Sequence, residues 1–178
     1  MRCPLECEYL RESRKHDKPP HLDQTQIPNR DIRLTEEFLN SREELLAWIS
    51  KGLLEAALRT EGVVDFDVRD ALEALIRTYR TLASGIEYQT RPENRLAGGL
   101  YDALQKAVAA FRAQETEQSG LPKTRDADVL GLLVFLQHFE LDQNNGRKRG
   151  RAFLDALREF YSFPLPQAAA PPSPLILP

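Results

Sequence analysis

The residues best suited to chemistry sit at the N-terminus. Both cysteines and two of the three histidines fall in the first 21 residues, as Cys3, Cys7, His16 and His21. Thiolate sulfur and imidazole nitrogen suit Zn²⁺, and C-x₃-C-x₈-H-x₄-H supplies the right number and type of ligand. The spacing argues the other way. A usual finger leaves about a dozen residues between its two pairs. Pro19-Pro20 stiffens the path to His21, and Cys3 and Cys7 lie one turn apart on a short helix candidate, 4–15. We read two ordinary thiols, one at a helix cap, beside surface histidines, and assign neither metal nor cofactor. The third histidine, His138, lies in the most apolar segment and reads as a hydrogen-bonded core residue.

A second cluster is DQNNGRKRGR, 142–151, with Arg147, Lys148, Arg149 and Arg151. Asn144-Asn145-Gly146 is turn chemistry, because Asn and Gly tolerate positive φ. The last helix starts just beyond. Cations are the unfavourable sign there, at about 0.3–1 kcal/mol each. A phosphate or a nucleic-acid backbone would satisfy both guanidinium and backbone N–H groups. The leading reading is plainer: the charges are solvated, or paired with nearby acids such as Asp142 and Asp155. An acidic surface of a protein partner is the third reading. Gly150 implies either a close backbone approach or a late helix start.

A third candidate is the turn SGIEYQTRPENR, 84–95, which carries Tyr88, Arg91 and Arg95 and follows Arg77 and Arg80. Arginine with tyrosine on a loop can bind phosphates and stack on bases. It can equally fasten the loop by ion pairs to the acidic segment 36–73, and that structural reading is preferred. Near the end, Leu175, Ile176 and Leu177 follow a proline-rich run. That apolar tip would dock in a groove of its own domain, engage a partner as a short linear motif, or stay disordered.

Motifs of recognised catalysis are missing: G-x-S-x-G, H-E-x-x-H, the phosphate-binding G-x-x-x-x-G-K-[ST] and Glu-x-x-His pairs. We read the chain as a non-enzyme. With 178 residues, 42% apolar and 29% charged, it is long enough and apolar enough for a real core. The net charge of −3 points to no partner, but its distribution is uneven. Residues 36–73 hold ten acids against four bases, and 74–112 hold six bases against three acids. Those blocks are expected to face each other in one fold. The longest apolar stretch, VLGLLVFL at 129–136, is far short of a membrane span. There is no apolar signal region at the start, and the cysteines read as reduced thiols, so the cytoplasm is the expected compartment.

The elements that must position these groups are helical. Stripes of period 3.6 recur and no sustained period of 2 does. Thr35 caps a helix with Glu36 and Glu37 in its first turn, and Ser41-Arg-Glu-Glu44 is a capping-box pattern where the helix restarts or runs through. Asp67-Val-Arg-Asp70 opens a helix ending at Gly85, and Pro92 or Asn94 opens the next, which fades into the loop ETEQSGLP. Gly98-Gly99 inside that helix implies a close helix crossing. Segment 126–141 is apolar nearly all round, the mark of a central buried helix. A final helix follows NNG and is stopped by Pro164. The expectation is an all-α, single-domain bundle of about five to six helices around 126–141. A short helix and extended arm occupy 1–34, the bundle 35–163, and a proline-rich tail 164–178, with Ile27 as the arm's anchor. The leading functional expectation is a subunit or adaptor acting by protein–protein contact, and the alternative is a nucleic-acid- or polyanion-binding helical protein.

Overall fold

The computed structural model of the chain describes residues 27–161. Cys3, Cys7, His16, His21, the helix expected at 4–15 and the apolar tip Leu175–Leu177 lie outside them. Among the described residues there are six helices and no strands: α1 Glu36–Ser41, α2 Glu43–Arg59, α3 Asp65–Ala83, α4 Arg95–Ser119, α5 Asp126–Gln143 and α6 Ala152–Phe160. They form an all-α bundle. None is long and apolar enough to cross a membrane.

The N-termini follow from local chemistry. Thr35 Oγ1 accepts the N–H of Phe38, and Asn94 Oδ1 accepts that of Leu96, as capping residues should. Ser41 does not cap: its hydroxyl donates back to the Phe38 carbonyl, and the helix restarts after Arg42. Helix α3 begins before Asp67, whose carboxylate reaches back to the Val64 N–H. Asp128 serves Arg125 in the same way at the start of α5. Helix α4 does not fade where expected. It runs through the residues read as loop until Gly120, whose φ of 80° ends it.

Packing explains the stripes. Leu100, Tyr101, Leu104, Val108 and Phe111 of α4 are buried against the core, as are Val129, Leu132, Leu133, Val134 and Leu136 of α5. The close crossing is not at Gly98-Gly99, where an added Cβ would meet nothing within 4 Å. It is at Gly52, where one would lie 3.0 Å from the Ala107 Cβ, so α2 and α4 approach there. Trp48 packs edge-on against Phe111 one turn along, with ring centroids 5.8 Å apart, so the two helices run antiparallel.

Helices α3 and α4 run in the same direction. Segment 84–94 turns back along α3: Thr81 Oγ1 donates to the Tyr88 carbonyl, Thr90 N donates to Thr78 Oγ1, and Asn94 Nδ2 reaches Asp67 Oδ1 at 2.6 Å. Helix α5 returns antiparallel to α3, with Arg69 against Glu140 at one end and Tyr79 near Asp126 at the other. One end of the bundle therefore gathers the N-termini of α3, α4 and α6.

The described part of the arm, 27–34, lies along α5. The Pro28 carbonyl meets His138 Nε2 at 2.7 Å, and Asn29 Nδ2 donates to Gln137 Oε1. His138 is thus hydrogen-bonded, as read from the sequence, but half-buried rather than inside the core. The apolar anchors are Ile32 and Leu34; Ile27 is half-buried but is not among the residues packed on the core.

Candidate functional site

The loop that joins α5 to α6 carries the basic cluster, and its backbone is tightly wound. Asn144 caps α5 and is buried; its Oδ1 accepts the Gly146 N–H, and Gly146 takes φ 71°. The Gly150 N–H closes a turn on the Arg147 carbonyl at 2.8 Å. A Cβ on Gly150 would sit 2.5 Å from Asn145 Oδ1, so both readings of this glycine hold: the backbone approaches closely, and the helix starts late.

The anion that the N-terminus of α6 calls for is supplied by the chain. Asp65, fully buried, accepts the N–H groups of Phe153 and Leu154 at 3.1 and 3.3 Å, and its own N–H donates to the Gly150 carbonyl. Burial pushes its carboxyl up to about 6 despite those two hydrogen bonds, and the nearby charges of Glu140 and Asp155 push the same way. Beside it Glu140 is also fully buried. Arg69 clasps it with Nε at 2.9 Å and Nη2 at 3.1 Å while lying over the Phe66 ring, and Asn144 Nδ2 donates to the same carboxylate. Sequence patterns did not single out Asp65, Arg69 and Glu140. The available signal was an acid in a near-continuous apolar run, Phe139-Glu140-Leu141, and another in Val63-Val64-Asp65-Phe66.

The four cations divide. Arg151 is buried and donates from Nε to the Val63 carbonyl, so it is a structural clamp. Arg147, Lys148 and Arg149 are exposed in the turn before α6. Arg147 is not free, whereas Lys148 and Arg149 have no hydrogen bond or ion pair among the described residues.

Around 84–95 most charges are engaged. Arg77 pairs with Glu73, Arg80 with Asp31 and Asn29, and Arg91 with Asp102 while lying 5.7 Å from the Tyr101 ring centroid. Only the Glu73 pair involves the acidic segment 36–73, so the two charge blocks are not joined mainly to each other. Tyr79 and Tyr101 are buried, and burial pushes the Tyr79 phenol up to about 12. Arg95 is exposed, without a partner among the described residues, on the first turn of α4. Its neighbour Asn94 holds Asp67, two residues from Asp65, which holds Gly150. Arg95 therefore shares the bundle end with Arg147, Lys148 and Arg149, and Arg91 faces elsewhere. The loop also lifts Ile86 and Tyr88 into solvent, 58% and 64% exposed.

A cleft of about 230 Å³ opens where α1 meets α2, lined by Arg42, Leu45, Phe111, Glu115 and Lys123 among others. Part of its polar wall is engaged: Glu115 accepts the N–H groups of Lys123 and Thr124 and the Thr124 hydroxyl, and Arg42 turns to Asp128. Burial alone would raise the Asp128 carboxyl, but hydrogen bonds from Arg125 and the charge of Arg42 outweigh it and hold it low. Among the described residues no group of three His, Cys, Asp or Glu could hold a metal ion. No protein-family model, curated protein or solved structure matches the chain.

Proposed function

We propose that the protein is a non-enzymatic helical adaptor that works by protein–protein contact, with the return segment 84–92 as its contact element. The observation that carries this reading is the pairing of exposure with rigidity. Ile86 and Tyr88 stand in water, yet the backbone between them is held by the Thr81 hydroxyl, the Ile86 N–H on the Thr81 carbonyl, and the Thr90 N–H on Thr78. An aromatic and an aliphatic side chain on a pre-ordered backbone lose little entropy on binding, which is how interface anchors gain affinity. The tail tip Leu175–Leu177 is a second contact element in the same reading.

The test is crosslinking capture from the protein's own cell extract with three chains: the native one, an Ile86→Ser, Tyr88→Ser double variant, and a chain ending at 163. A partner band lost with the double variant at unchanged melting temperature supports the reading. A capture pattern identical for all three chains removes it.

The second reading, a polyanion-binding surface, is favoured by Lys148 and Arg149 standing unpaired beside Arg147 at the same bundle end as Arg95. Arg151, being buried, leaves that set. A fluorescence titration with mixed RNA and DNA at low salt decides it. Binding by the native chain no tighter than by Lys148→Ala, Arg149→Ala would sink it.

A further inference from the structure

Segment 27–41 lies across the bundle as a strap. It puts no residue fully inside the core; Ile32, Leu34, Phe38 and Leu39 are half-buried against it. One feature is a plug in a notch: the Phe38 ring sits where a Cβ on Gly131 would be, 2.6 Å from Cζ. The rest is polar pinning at partly exposed sites, by Arg80 on Asp31 and by His138 and Gln137 on Pro28 and Asn29.

A single residue joins the strap to the bundle. Arg42 is both the last cap of α1 and the first cap of α2, at φ −125° and ψ 18°. A rotation of about 60° in each angle makes it helical. No proline or glycine interrupts Glu36 to Lys51, so α1 and α2 would then form one continuous helix. Straightening lifts Phe38 out of its notch and points the strap away from its own bundle. It leaves Asp128 with a partner, because Arg125 also holds that carboxylate.

From this geometry we infer that the strap is exchangeable, and that its other acceptor is a second copy of this chain. In a dimer of straightened copies each strap lies on the other's α5, with Phe38 of one in the Gly131 notch of its neighbour. Every strap contact is regained and only the Arg42 hinge changes, the condition under which elements swap between protomers.

The test uses the exposed Asp31–Arg80 pair, so that folding is not at stake. One full-length chain carries Asp31→Arg and a second carries Arg80→Asp. Each faces a like-charge clash within itself. In a mixed swapped dimer both straps find an opposite charge: the two substituted side chains meet in one latch, with the charges reversed, and the native pair forms in the other. Light scattering should read a doubled mass for the concentrated mixture and a single-chain mass for each variant alone. A second measurement is independent of charge: Arg42→Ala, which favours the helical hinge and removes the Asp128 tie, should raise the dimer fraction of the otherwise native chain several-fold. The inference fails if both the mixture and the Arg42→Ala chain stay at single-chain mass. It also fails if the two charge variants dimerise alone as readily as together.

Discussion

Arg69 and Arg80 each clasp a carboxylate with two N–H groups, about three turns apart on α3. Glu140, held by Arg69, has no exposed side-chain surface; Asp31, held by Arg80, keeps 62% of its own. The geometry is nearly the same and the energetics are not. A surface pair trades hydration for a similar attraction and gains little. A buried pair has already lost its hydration, so removing one partner strands the other. The corner formed by α3, α5 and α6 is therefore fixed by polar groups that cannot be released singly. The strap is fixed by polar groups that can.

Three measurements would sharpen or break that contrast. The largest effect is expected for Arg69→Ala, which leaves the buried Glu140 carboxylate without its cation and, among the described residues, with only the Asn144 amide as side-chain donor; urea unfolding should show a loss of about 3–5 kcal/mol. A loss below about 1 kcal/mol would mean that water reaches Glu140 and that the corner is no different from the strap.

The next effect is a pH dependence centred on Asp65. Its folded carboxyl is raised from 3.8 to about 6, so between about pH 4 and 6 the folded chain holds a proton that the unfolded chain has released. That contribution is complete below about pH 4 and is lost as pH rises through about 6. Comparing the native chain with Asp65→Asn across pH 4 to 7 should show the balance moving toward the variant by about 3 kcal/mol. A difference that does not vary with pH would show that Asp65 titrates as an ordinary acid.

The smallest effect is expected at the strap. Asp31→Ala removes an exposed pair and should cost at most about 1 kcal/mol by the same unfolding assay. A larger loss would promote the strap from latch to foundation, and would weaken the case for its exchange.

Much of the bundle was legible because burial writes a period into the sequence. The α4 and α5 stripes are buried as the pattern implied, and Thr35 and Asn94 cap where their hydroxyl and amide suggested. What escaped is non-local. That Asp65 would serve α6 rather than its own helix depends on a contact across 88 residues in sequence, which no spacing rule encodes. Gly98-Gly99 and Gly52 are alike in sequence, and only the neighbouring helix distinguishes them. The basic cluster was legible as a turn but not as a divided set, since only the packed bundle brings the Val63 carbonyl to Arg151 and leaves Arg149 exposed.

The strap has a further consequence during synthesis. Asn29 meets Gln137 across 108 positions of sequence. At about 5–20 residues per second a ribosome takes roughly 5–20 s to travel that far. Throughout that interval the strap exists and its seat on α5 does not. On a messenger carrying several ribosomes, the first α5 within reach of a waiting strap can belong to the chain ahead, so that exchange between copies can begin during translation as well as between finished chains.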